Sequence, residues 1–309
     1  MVPLDTVGGV KEQGGRGIPV LVLLVPAAGV VAVMAVLFAR ALFEIPTTAA
    51  FFVTYPGDAT PWAGTPVGFP AWLSWTHFLS AFFLLFIVRS GLLIRGKQRP
   101  PAFVTRRAPG AGRLGLHTWW HLVVDTLWAL NGLVYLVLLI VSGQWKRLVP
   151  ASWDVIPNAV SAGLQYLSLD WPAHDGWTQY NALQLLLYGF TVWVAGPVAV
   201  IVGLRLSPVW PKRLRRGTGL LGDRFARTVH WLTAVYFIAF TVVHVALVLL
   251  TGALANLNHM YAGRDDETWI GAGVFAASLV VTIVAAVLLR PRAQARLAEL
   301  ARNDVRRMP

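Results

Sequence analysis

Residues 226–252 read ARTVHWLTAVYFIAFTVVHVALVLLTG, and Arg227 is the only charged side chain among them. Crossing the hydrocarbon core of a bilayer takes about 20 consecutive apolar residues, so this stretch predicts a transmembrane helix. It carries two histidines, His230 and His244, fourteen residues apart. Fourteen residues turn an α-helix by about 1400°, within about 40° of four full turns, and advance it about 21 Å. Both imidazoles therefore project from one face, one near each membrane surface. An ionisable group inside a bilayer is costly, and marks a functional site by default.

Five further apolar blocks, at about 18–43, 71–94, 117–142, 179–206 and 269–289, have the same length and character. The chain is 56% hydrophobic and 13% charged, against about 25% charged for an ordinary soluble domain. The expected fold is all-α, a polytopic membrane bundle of about six helices. Lys11 and Arg16 precede the first block as they would in a signal peptide. Its apolar run exceeds the roughly 7–15 residues of such a segment, however, so it reads as a span.

The net charge of +12 suggests nucleic acid until the charges are placed. Six bases from Arg95 to Arg113 lie between the second and third blocks, and seven from Arg205 to Arg227 lie between, or at the edge of, the fourth and fifth. Six more from Arg290 to Arg307 form the tail. With Lys11 and Arg16 they occupy one side of a six-span chain, while Arg40, Lys146, Arg147 and Arg264 share the other with eight acids. This asymmetry is the positive-inside pattern and predicts both termini in the cytoplasm. The expected division is a cytoplasmic segment 1–17, a membrane domain 18–289 and a basic cytoplasmic tail 290–309. Outer loops 44–70 and 145–178 are rich in Trp, Tyr and Phe, as an interfacial belt requires; about 158–169 predicts a short surface helix. Gly196-Pro197 predicts a kink in the fourth span. Absence of cysteine excludes disulfides, thiolate metal sites and iron–sulfur clusters held by this chain.

Span polarity sets the depth of the other histidines. His77 enters the second span near the outer surface, level with His244, and His121 enters the third near the inner surface, level with His230. Two His pairs separated by most of the bilayer would hold two stacked b-type haems, with both axial positions of each iron filled. Any one intramembrane His is more often a helix–helix hydrogen-bonding residue; matched depth and the fourteen-residue spacing favour ligands for the set. His117 lies one turn from His121 on the same face, but nearer the interface. His174 and His259 read as ordinary polar residues of outer loops. Asp125, one turn beyond His121, either orients it, passes protons to a bound quinone, or bonds a neighbouring helix. Arg89 and Arg227 either pair with propionates of the inner haem or snorkel to headgroups. Asn131, Asn181 and Gln184 have no evident role.

Arg227-Thr228-Val229-His230-Trp231, the second His fourteen residues on, and Gly252 and Met260 beyond it resemble the last core helix of the dihaem membrane cytochrome b subunits. These serve formate dehydrogenase and nickel–iron hydrogenase, with relatives in thiosulfate reductase and bacterial cytochrome b561. The resemblance covers about 72–260 and implies a four-helix dihaem core. In it His230 and His244 match the helix that gives one ligand to each haem, and His77 and His121 match the single ligands. It further implies an electron-transfer subunit, not itself catalytic, in the bacterial cytoplasmic membrane. Its partners would be lipid, quinone and a catalytic oxidoreductase subunit, with or without an iron–sulfur subunit: hydrogenase, formate dehydrogenase or another molybdopterin enzyme. Six spans exceed the four or five of those subunits, and the leading span inverts the core relative to the formate dehydrogenase subunit. Two rivals are a stand-alone cytochrome b561-type quinol oxidoreductase and a haemless proton or metal transporter.

Overall fold

The computed structural model describes residues 20–107, 112–171, 176–208, 210 and 222–308, with side chains from residue 24 onward. The expected 1–17 segment, His174, the Pro109-Gly110 turn and the bases Lys212, Arg213, Arg215 and Arg216 lie outside the described residues. The helices are α1 (Val20–Glu44), α2 (Pro46–Thr54), α3 (Ala71–Arg95), α4 (Leu116–Val141), α5 (Val155–Ser168), α6 (Ala182–Phe190), α7 (Gly196–Leu206), α8 (Asp223–Leu250), α9 (Ala253–Leu257), α10 (Ile270–Leu288) and α11 (Pro291–Leu300). The strands are β1 (Ala102–Arg106), β2 (Arg113–Gly115) and β3 (Asn303–Arg307). Six helical segments are long and apolar enough to cross a membrane: Leu24–Glu44, Ala71–Arg95, Leu116–Val141, Ala182–Leu206, Asp223–Leu250 and Ile270–Leu288. They coincide with the six apolar blocks to within a few residues. The fold is a polytopic helical membrane bundle.

The chain forms two compact units. One comprises Met1–Thr54 and Gly163–Pro172. Within it α1 exposes Leu24, Val30, Val31, Leu37 and Phe38, as a helix bathed in lipid does. Phe43 stacks on Phe52 at 4.1 Å, and Arg40 Nε donates to the Ser168 carbonyl at 2.9 Å.

The other unit, Tyr55–Ala162 with Ala173–Pro309, holds the remaining five spans. Here α3 packs along α4, and α7 along α8. Asn131 of α4 donates through Nδ2 to the Thr76 carbonyl and to Ser80 Oγ of α3, both at 2.9 Å. The α7–α8 hairpin is closed by Arg205 against Asp223 at 2.8 Å. The fourth span begins with a capping box, in which Asn181 Oδ1 accepts from Gln184 N–H and Gln184 Oε1 accepts from Asn181 N–H. Asn131, Asn181 and Gln184 thus have structural roles that the sequence leaves open. This span is interrupted by a π turn at Thr191–Ala195, immediately before Gly196-Pro197. Pro197 has no N–H to offer the preceding turn, and a widened turn absorbs the mismatch.

At one end of the α3–α4 hairpin, β2, β1 and β3 form an antiparallel sheet in that order, with Val104 opposite Leu114 and Val305. Ala102, Val104, Phe86, Leu116, Trp119, Trp120 and Val124 share a core with Ala295 and Ala298 of α11. The basic tail is therefore a helix and a strand docked on the hairpin, held also by Arg107–Asp304 at 2.9 Å. Sequence alone does not suggest this sheet.

The other end is closed by buried polar side chains. The Gly68 carbonyl accepts from Gln144 Nε2 and Arg147 Nη1, at 3.2 and 3.0 Å. Arg147 Nη2 reaches the Gly176 carbonyl at 2.5 Å, and its guanidinium lies over Phe69 and Tyr180. Gly68 has φ +86°, and a Cβ there would fall 2.8 Å from the Trp177 ring, so only glycine fits. His259, expected to be an ordinary loop residue, is 7% exposed. It stacks on Phe69 at 5.9 Å and pairs through Nε2 with Asp265 Oδ1 at 3.1 Å. A π turn, Asn258–Ala262, tucks this ring inward, which apolar periodicity does not reveal.

Candidate functional site: two facing histidine pairs

Helix α8 presents His230 near its start and His244 near its end, about 21 Å apart along the axis at the α-helical rise. Across from them stand His77, two turns into α3, and His121, one turn into α4. The His77 and His244 rings face each other with centroids 6.3 Å apart. His121 and His230 do so at 6.2 Å. All four rings are half-buried. The helix packing of α8 is chiefly with α7, so its histidines reach across to α3 and α4.

Imidazole nitrogens about 2.0 Å either side of one metal ion, plus the ring radii, put the centroids a little over 6 Å apart. Both pairs match that spacing. His77 Nδ1 and His230 Nδ1 are buried without a hydrogen-bond partner, an expense of about 1–3 kcal/mol that ordinarily signals a ligand or ion. Each pair also has one ring held by a hydroxyl. Ser90 Oγ lies 2.9 Å from His121 Nδ1, and Tyr188 OH lies 3.5 Å from His244 Nδ1. Among the described residues no cluster of three or more His, Asp or Glu side chains is placed to hold a metal. With two facing imidazoles each, the pairs suit an iron whose remaining donors come from a macrocycle.

Glycines flank the His121–His230 pair. A Cβ on Gly91 of α3 would lie 3.3 Å from His121 Cε1, and one on Gly203 of α7 would lie 3.7 Å from His230 Cε1. Thr233 and Thr241 turn their hydroxyls onto carbonyls of their own helix. The ring opposite His230 belongs to His121. His117 instead lines a small cleft with Phe86, Arg89, Ser90, Leu93, Trp120, Pro291 and Gln294. Asp125 Oδ2 lies 3.5 Å from His121 Nε2. Arg227 is exposed on α8, away from the cleft that Arg89 enters. Ser90, Tyr188 and Gly203 are contributions the sequence did not single out. The only trace of Ser90 is a small hydroxyl residue within a bulky apolar run.

The family model of prokaryotic cytochrome b561 matches residues 68–263, a range that contains all four histidines. A relative from Azospira oryzae, named "Putative protein-methionine-sulfoxide reductase subunit YedZ1", is 34% identical over 186 residues. That match spans 59% of this chain and 89% of the relative. No solved structure matches the chain. With six apolar spans and this match over most of its length, the chain belongs to the prokaryotic cytochrome b561 family and is a multi-pass membrane cytochrome of the b type.

Proposed function

We propose that the protein holds two b-type haems, one between His77 and His244 and one between His121 and His230, and carries electrons between a quinone pool and a partner oxidoreductase. The observation that carries this reading is the pair of facing imidazole couples, spaced for one metal each and set about 21 Å apart on α8. Held by these imidazoles, a haem at each site would supply one-electron transfer. The chain's own residues hold and orient: α8 gives one imidazole to each site, α3 and α4 complete them, and Gly91 and Gly203 leave room around the inner rings. Arg89 is the base best placed for an inner carboxylate, since it lines the cleft beside Ser90 and His117. Asp125, beside His121, is positioned to exchange protons with a quinone.

The membrane domain spans 18–289, with its haem core at about 72–260, and the segments 1–17 and 290–309 face the cytoplasm of a bacterial cell by the positive-inside asymmetry. The substrate chemistry lies on a partner subunit. The name of the Azospira oryzae relative favours a reductase in that role, and adds protein-methionine-sulfoxide reductase to hydrogenase, formate dehydrogenase and other molybdopterin enzymes as candidates.

The test is a dithionite-reduced minus oxidised spectrum of the purified protein, with haem quantified per chain. Two b-type haems are expected. One haem would make one His pair structural. None, in protein produced with ample haem, would overturn the reading in favour of a transporter. Co-purification of a second subunit separates the complex from a stand-alone quinol oxidoreductase.

A further inference from the structure

Ser90 is 3% exposed, a little over one turn before the end of α3, and its hydroxyl has three polar neighbours. Its Oγ lies 2.6 Å from the Phe86 carbonyl, 3.1 Å from the Ile87 carbonyl and 2.9 Å from His121 Nδ1. A serine hydroxyl has one proton, and carbonyl oxygens only accept. An oxygen–oxygen approach of 2.6 Å requires that proton between them, so Ser90 donates to its own helix. Toward His121 it can then only accept, which puts the imidazole proton on Nδ1 and makes Nε2, approached by Asp125 Oδ2 only to 3.5 Å, the lone-pair nitrogen. The next residue, Gly91, lets the ring lie against α3, because any Cβ there would press on Cε1 and Nδ1. Ser90 and the Ile87 carbonyl, which also accepts from the His121 ring, fix the tautomer, and Gly91 leaves room for the ring. At the opposite ring of this pair, His230 Nδ1 has no such partner.

We infer that Ser90 is a positioning residue for the inner haem: it accepts the His121 Nδ1–H bond, raises the electron donation of Nε2 and so holds the potential of that haem down. This inference rests on the proposed ligation of the inner haem by His121 and His230. Hydrogen bonds from a ligand histidine to its surroundings tune metal sites in this way, and their loss commonly weakens metal retention about tenfold or more.

The experiment is a redox titration of the full-length protein with haem counted per chain, in the unaltered form and in Ser90→Ala and Ser90→Thr. The inner haem is identified as the one missing from His121→Ala. In Ser90→Ala the inner potential is expected to move positive and inner haem to be lost more readily on dilution, while the outer potential stays put. Ser90→Thr keeps the hydroxyl and is expected to restore the unaltered potential. Two intact haems with an unmoved inner potential in Ser90→Ala would overturn the inference, as would equal shifts in the Ala and Thr variants. An unaltered protein with no inner haem would instead remove the ligation reading beneath it.

Discussion

The guanidinium carbon of Arg95 lies 3.7 Å from the ring centre of Trp231. Arg95 ends α3 and Trp231 follows His230 on α8, so this contact ties the two helices that also share the His77–His244 couple. A cation over a tryptophan face is worth about 0.5–2 kcal/mol, depending on how dry the site is. Arg95→Gln is therefore expected to lower stability by about that amount without changing the haem count. Thermal unfolding in detergent, followed alongside haem absorbance, checks both halves.

The four histidines divide into two independent pairs. His77→Ala and His244→Ala are each expected to remove the outer haem alone, and His121→Ala and His230→Ala the inner one alone. His117→Ala should leave both, because its ring lines the cleft with Arg89 instead of facing His230. Haem per chain and the reduced spectrum of each variant decide this. Retention of two haems by all four variants would refute the assignment.

Asn131 is a second polar tie between α4 and α3, beside the contact of His121 with Ser90. Replacing it with Leu removes donors to the Thr76 carbonyl and Ser80 Oγ. Interhelical hydrogen bonds in membranes contribute about 0.6 kcal/mol on average and up to about 1.7. The expected loss is within that range, read from unfolding in mixed micelles. A larger effect on outer haem retention is also expected, since Thr76 adjoins His77.

Arg147→Lys is expected to be poorly tolerated despite its retained charge. The guanidinium reaches the Gly68 and Gly176 carbonyls in two directions and covers two rings; an ammonium on a flexible stem cannot do all of this. The Gly68 carbonyl keeps Gln144 while the part-buried Gly176 carbonyl loses this donor, and an acceptor left unsatisfied costs up to about 1–3 kcal/mol when buried. Limited proteolysis of the segments around Gly68 and Trp177 should accelerate in the variant.

The loop between α9 and α10 carries an acid-sensitive carboxylate. Hydrogen bonds from the Thr268 hydroxyl and then Arg264 hold the pKa of Asp266 below its ordinary value of 3.8. A depressed folded-state pKa stabilises the loop above the ordinary carboxylate value, and that stability is lost as pH falls through the folded one. Acidification is thus expected to loosen the loop around Asn258, Asp266 and Thr268. Fluorescence of the neighbouring exposed Trp269 reports it, and Asp266→Asn should abolish the dependence.

Much of the architecture was legible because a bilayer punishes ambiguity. Each span needs an unbroken apolar run, and the six runs stand out between charged or Gly- and Pro-rich loops. The depth pairing of histidines was legible too, since helix rise and span polarity fix depth without knowledge of packing. The sheet was not. Strand β1 has five residues and pairs with β3 about two hundred residues later, and the alternation of so short and charged a strand gives no signal. His259 was misread for a related reason, as its burial comes from a π turn and from rings supplied by a distant loop.

The sequence by itself determined the number of spans, the face that His230 and His244 share, and the level of His77 and His121 against them, because all three follow from helix geometry and the thickness of lipid. Tertiary structure alone decided that Ser90 caps the His121 ring, that His117 turns into the cleft with Arg89, and that the basic tail closes the end of the hairpin. Those outcomes depend on how helices rotate and pack about their own axes, which a one-dimensional pattern leaves free and only mutual contact fixes.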